Sequence, residues 1–164
     1  MSNYSSQSQA DKRQRGENFQ EEIRRSWALI PNCWRMRITD DCGSRPADEI
    51  VILPHVNFLI EMKRKADDRL NLADLRTNQI GGLIDFIKAG NKNVGMIFVS
   101  FLSESVDATY AISIRTFLQH LKKMDRLYMD RQEISEYQEA ILLPRIMVDA
   151  DPANNLRGLV DWFK

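Results

Sequence analysis

The chain has 164 residues, a length that fits one domain at the usual roughly 100–200 residues each. Its 23 basic and 23 acidic residues cancel to a formal charge of +0, so any nucleic-acid partner must be met by a local basic surface and not by overall charge. No apolar run approaches the roughly 18 residues of a membrane span, no signal-peptide core opens the chain, and Cys33 and Cys42 are too few for a disulfide scaffold; the expectation is a cytoplasmic protein without a membrane partner.

Residues 1–14 are polar, rich in Ser and Gln, and carry no periodic apolar positions, which predicts a flexible N-terminal tail. Lys12, Arg13 and Arg15 place a small basic cluster at its end. From 17 to 29, Phe19, Ile23 and Trp27 recur every four residues among charges, the pattern of a one-faced helix that Pro31 and Asn32 end. Residues 33–38 alternate apolar and basic, as in a half-exposed strand, and 40–46 read as a turn or loop. Two apolar runs, 49–53 and 56–62, are split by Pro54-His55 and predict a β-hairpin, with His55 in its turn.

Residues 63–71 are charged and read as a loop, and at least the later part of 72–89 is a helix stopped by Gly90. A buried strand is expected at 94–101, another at 109–114, a helix at 115–124, one last strand at 141–148 and a short closing helix at 155–163, while 125–139 has no clear pattern. This order predicts an α/β fold with a central mixed sheet flanked by helices.

The block that carries chemistry runs from Arg45 to Lys63. In an antiparallel hairpin the start of one strand lies beside the end of the next, so Asp48 and Glu61 converge at one end of the sheet. Residues two apart on a strand share a face, so Glu61 and Lys63 point the same way while Met62 points into packing. Two carboxylates suit a hard cation such as Mg²⁺, and an ammonium beside them suits stabilisation of charge developing on a phosphodiester. Spacing alone leaves an ordinary surface ion pair as the competing interpretation.

Several motifs occur in a shared order. Arg15-Gly16 opens the first helix, Pro46-Ala47-Asp48 precedes a strand, Phe58-Leu-Ile-Glu61-Met-Lys63 ends the next, Gln79-Ile80 follows at a helix start, and the apolar strand Gly95-Met-Ile-Phe-Val-Ser-Phe101 comes after. In this order the chain resembles the RecU-type Holliday junction resolvases within the PD-(D/E)XK nuclease superfamily. The resemblance runs over residues 15–101, about half of the chain, and implies a restriction-endonuclease-like fold; with one domain expected from the length, residues 15–164 are taken as a single nuclease domain. It implies Asp48, Glu61 and the backbone carbonyl of Met62 as metal ligands for Mg²⁺ (with Mn²⁺ able to substitute), Lys63 as the residue that positions the attacking water, and Gln79 as support for Lys63 or for the scissile phosphate.

The sequence departs from the family pattern twice. The family places a glutamate four residues after the helix-opening glycine, where this chain has Gln20; Glu17 and Glu21 are the candidates for a first-helix carboxylate. The long stalk of RecU proteins has no room between residues 28 and 47, which brings the layout closer to the compact archaeal Holliday junction resolvases. Arg15, Arg24, Arg25, Arg35, Arg37, Arg64 and Lys65 are the candidate DNA contacts. The expected partners are DNA four-way junctions and a second copy of the chain in a homodimer, acting in the cytoplasm, or in the host cytoplasm if the chain is phage-encoded. A nuclease of the same superfamily with another DNA target, and a catalytically silent DNA-binding module, are the alternatives.

Overall fold

The computed structural model describes residues 3–39 and 44–164. The loop expected at 40–46 is therefore described only from Ser44 onward, and Cys42 lies outside the described residues. Helix α1 (Asn3–Trp27) leads into β1 (Trp34–Arg37), the antiparallel pair β2 (Glu49–Ile52) and β3 (Asn57–Lys65), the short β4 (Arg69–Asn71) and α2 (Thr77–Ala89). After these come β5 (Asn93–Leu102), β6 (Asp107–Ser113), α3 (Ile114–Met124), β7 (Tyr128–Asp130), α4 (Arg131–Glu136), β8 (Ile141–Leu142), β9 (Arg145–Val148), β10 (Asp151–Asn154) and α5 (Arg157–Trp162).

Six strands form the main sheet in the order β1-β2-β3-β5-β6-β8. Only the central β3–β5 pair is parallel; its neighbours are antiparallel. A parallel pair cannot be joined by a tight turn and needs a crossover, which α2 supplies here. The result is a mixed sheet with helices on its faces, as the sequence predicts.

Each face has its own core. Phe19, Ile23 and Trp27 of α1 pack on Phe58, Ile60 and Met62 of β3 and on Met96 and Phe98 of β5, with the Trp27 and Phe98 rings stacked at 6.4 Å. On the opposite face Leu83 of α2 and Phe117 and Leu121 of α3 cover Leu59, Ile97, Val99 and Ile112. The C-terminal β9–β10 hairpin clamps α1: the Asn154 N–H donates to Ser26 Oγ at 2.7 Å, and Arg25 Nε to the Pro152 carbonyl at 2.9 Å.

Three expectations change. The N-terminal tail is helical from Asn3 and continuous with α1. A packed second half nucleates the helix, and the residues before it then need only propagation, helped by i,i+4 contacts from Arg13 to Glu17 and from Gln14 to Asn18. The charged stretch 63–71 is not a loop throughout: β3 runs on to Lys65, and β4 pairs with β7. The single last strand expected at 141–148 is two, β8 and β9, because Pro144 between them has no N–H to carry a ladder onward.

Candidate active site

The β2–β3 register sets Glu49 opposite Ile60, which brings Asp48, one residue before β2, alongside Glu61. Backbone bonds hold it there: the Asp48 N–H donates to the Ile60 carbonyl at 2.9 Å, and its carbonyl accepts from the Ile38 N–H at 2.9 Å. The Asp48 side chain is buried. Its Oδ2 accepts the Met62 N–H at 2.7 Å, and its Oδ1 accepts Gln20 Nε2 at 3.1 Å and lies 2.8 Å from an Arg45 guanidinium nitrogen.

Glu61 is equally buried. Its Oε1 receives Lys63 Nζ at 2.6 Å and Gln79 Nε2 at 2.7 Å, whereas its Oε2 is buried without a hydrogen-bond partner. Burial, followed by repulsion from Asp48, pushes the Glu61 carboxyl up to about 7, against the opposing pull of Lys63 and Arg45. A carboxyl poised there, with one oxygen unsatisfied, is what a cation-binding or proton-handling site presents.

Gln79 lies in the first turn of α2, where backbone N–H groups have no intrahelical partner. Its Oε1 accepts the Arg76 N–H at 2.9 Å, so its amide nitrogen is the end that faces Glu61. The helix start is itself pinned to the loop before β2: Asn78 Nδ2 donates to the Arg45 carbonyl at 2.8 Å, and Gly82 lies so close to Pro46 that an added Cβ would meet the Pro46 Cβ at 2.3 Å. Only a glycine lets α2 approach this near.

Asp48, Glu61, Lys63 and Gln79 are thus brought together, and Met62 sends its side chain into the opposite core. Glu49, next to Asp48, points to the other face, is held by Arg35, and has its pKa raised by burial. The first-helix expectation is corrected. Glu17 is exposed and pairs with Arg13, and Glu21 pairs with Arg24 at 2.7 Å; the side chain that reaches Asp48 from α1 is Gln20. Among the described residues no group of three or more His, Cys, Asp and Glu side chains is arranged to hold a metal ion, so protein carboxylates would supply two ligands to a cation here.

The basic candidates separate by what they touch. Lys12, Arg15, Lys63, Arg64 and Lys65, with Asp67 and Asp74, line a groove of about 500 Å³ that opens beside Lys63. Lys65 is tied to Asp74 at 2.8 Å. Arg37 is exposed, and Arg24 is exposed although paired. Arg25 and Arg35 are held by Pro152 and Glu49. Arg64 borders the same groove, but its charge is committed: it grips Glu22 through two nitrogens at 3.0 and 2.5 Å and stacks on the Phe19 ring. Strand alternation sends it there, one residue past Lys63. Two residues of the site carry no signal in sequence spacing: Arg45, and Gln20 as a partner of Asp48.

No family model matches the chain, and no curated protein does. Among solved structures, the chain is similar to the 1.6 Å structure of Archaeoglobus fulgidus Hjc, a Holliday junction resolvase from an archaeal hyperthermophile, with a TM-score of 0.50 and 12% sequence identity. The match covers 71% of this chain and 88% of that one. The chain shares its fold with this resolvase. The likeness agrees with a compact layout, and it does not single out the RecU type that the sequence motifs resemble.

Proposed function

We propose that the chain is a metal-dependent endodeoxyribonuclease that cleaves branched DNA, and four-way junctions in particular. The observation that carries this reading is the convergence of Asp48, Glu61 and Lys63 on one face of the β2–β3 hairpin, with Lys63 Nζ 2.6 Å from Glu61. The shared fold with an archaeal junction resolvase supports it.

The donor set fits a hard divalent cation. Asp48 and Glu61 offer carboxylate oxygens, and Glu61 Oε2 is a buried acceptor in want of a partner. These two, with the Met62 carbonyl, would hold Mg²⁺ or Mn²⁺, and water would complete the shell. A bound Mg²⁺ polarises phosphate oxygen and makes water more acidic. Gln79 fixes the rotamer of Glu61. Lys63, at the mouth of the basic groove, orients the attacking water and stabilises charge growing on the phosphate. Lys12 and Arg15 track the phosphate backbone that leads in. Attack in line with the P–O3′ bond breaks that bond, leaves a 5′-phosphate, and frees O3′ to become a hydroxyl with a solvent proton. Two symmetric cuts in one junction call for two such sites, which an isologous homodimer would provide.

Labelled four-way junction and linear duplex, incubated in Mg²⁺ with the wild-type chain and with Asp48→Asn and Lys63→Ala, test this. Junction cutting that both substitutions abolish is expected. Equal cutting of both substrates would leave a nuclease with another DNA target, and no cutting of either would remove the enzyme.

One feature favours a second reading. The neutral Gln20 and the Arg45 guanidinium sit on Asp48 where additional negative charge would help a metal, as in a catalytically silent module that binds junctions. Stabilisation by Mn²⁺ that disappears in Asp48→Asn would exclude it.

A further inference from the structure

Arg45 sits on one oxygen of a carboxylate that a cation would need. One guanidinium nitrogen lies 2.8 Å from Asp48 Oδ1, the side chain is 19% exposed against 3% for Asp48, and Arg45 Nε is buried with no hydrogen-bond partner. The second Asp48 oxygen is held by the Met62 N–H. Asp48 thus carries three donors while Arg45 stays, two of them neutral because Gln20 Nε2 also meets Oδ1 at 3.1 Å, and Arg45 is the charged one: a guanidinium and a divalent cation repel each other at one carboxylate.

The residue's two halves are held differently. Its backbone is anchored, because the carbonyl accepts Asn78 Nδ2 and the following Pro46 abuts Gly82. Its side chain ends at a partly open surface with an unsatisfied donor. Removal of the positive charge from Asp48 thus requires only rotation of the Arg45 side chain, with the neutral Gln20 and Met62 donors left in place, and the guanidinium then needs another anion. A phosphate of bound DNA is that anion in both charge and shape: Arg meets phosphate through two parallel N–H bonds, which would also employ the idle Nε.

We propose that Arg45 is a charge latch. It neutralises Asp48 in the free protein and transfers to a DNA phosphate when substrate arrives, which makes metal binding and DNA binding mutually reinforcing. Linkage requires the effect to be reciprocal: DNA tightens the metal by the same factor that the metal tightens DNA. The inference rests on the nuclease reading of the site, and it adds a substrate-contacting residue whose departure couples the two ligands.

The test is calorimetric titration of Mn²⁺ into the full chain, alone and saturated with a four-way junction. All proteins carry Lys63→Met so that the DNA stays intact. With Arg45 present, junction DNA should tighten Mn²⁺ by about ten- to a hundredfold, the worth of one charge-assisted hydrogen bond. In Arg45→Ala, Mn²⁺ alone should bind about that much more tightly than in the parent, and DNA should improve it by less than about threefold. Arg45→Lys, which keeps the charge but lacks the fork, should lie between the two, and its circular dichroism and melting keep the comparison valid if the alanine variant folds poorly. Unchanged Mn²⁺ affinity in Arg45→Ala with the DNA enhancement intact overturns the latch and leaves the metal site standing. Absence of Mn²⁺ binding in every protein overturns the metal site and the latch together.

Discussion

Removing Glu22 should unfold this protein more readily than removing any exposed charge. Glu22 of α1 and Arg64 of β3 face each other with side chains each 4% exposed, joined by two bonds of 3.0 and 2.5 Å. Arg64 also donates to Ser100 Oγ at 3.1 Å, and Arg145 reaches the same Glu22 at 3.2 Å. Glu22→Ala strands Arg64 in a low-dielectric site and leaves two arginines facing each other without the carboxylate between them. Breaking a buried pair from one side costs about 3–5 kcal/mol, which corresponds to a fall in Tm of roughly 6–20 °C for a domain of this size. Replacing both partners by apolar residues, Glu22→Leu with Arg64→Met, should restore most of that loss, because no charge then remains buried.

Urea unfolding followed by far-UV circular dichroism gives the stabilities of the parent, Glu22→Leu, Arg64→Met and the double variant, and a coupling above about 2 kcal/mol is expected. A loss below about 1 kcal/mol in Glu22→Ala, the worth of an exposed pair, would refute the reasoning and return Arg64 to the surface. DNA binding supplies an independent arm. If Arg64 is structural, the doubly apolar protein keeps the salt dependence of the parent; a slope shallower by about one would mean that Arg64 contacts a phosphate after all.

Three further outcomes are expected. Because the Glu61 carboxyl lies at about 7 in the folded chain against an ordinary 4.5, its contribution to metal-free stability is complete below 4.5 and is lost as pH rises through 7, by roughly 1.4 kcal/mol per unit of displacement; melting from pH 4 to 8 should show this slope in the wild type and lack it in Glu61→Gln, and one proton should be released per cation bound near pH 6. Gln20→Glu puts a third carboxylate at the Asp48 oxygen that Gln20 now contacts at 3.1 Å, so Mn²⁺ should bind more tightly by calorimetry while the metal-free Tm falls; a weaker affinity would show that the amide is needed as a donor. Gly82→Ala drives a methyl into Pro46 and should cost about 1–3 kcal/mol in urea unfolding, with a loss of cleavage, since it is Gln79 and Arg45 that shift.

The parts of this molecule that follow local rules were legible in the chain itself. The hairpin around Pro54-His55, the α1 stripe of Phe19, Ile23 and Trp27, and the Glu61–Lys63 pair on one face all follow from periods of two or about four residues. What escaped depends on contacts distant in sequence. Arg64 reads as a free cation because nothing near it in the chain announces Glu22 on α1. Gln20 reads as a missing carboxylate because its bond to Asp48 spans 28 positions. Arg45 has no pattern at all; it matters because Asn78 and Gly82 hold the loop that bears it. The helical start at Asn3 was missed for another reason: a polar segment joined to a packed helix inherits its nucleus, which composition does not reveal.

The run Glu61-Met62-Lys63-Arg64 shows why both faces of β3 must be specified together. Glu61 meets Gln79 of α2 and pairs with Lys63, while Met62 packs into the α1 core and Arg64 meets Glu22 beyond it. A slip of one residue would exchange the two sets, placing a thioether and a guanidinium beside Asp48 and burying a carboxylate and an ammonium under Phe19. The apolar positions Phe58, Ile60 and Met62 resist that slip through burial, and the Glu22–Arg64 bond resists it because a charge cannot be buried at the wrong address. The structural ion pair and the chemical one are thus consecutive readings of a single strand, and the second holds its place only while the first does.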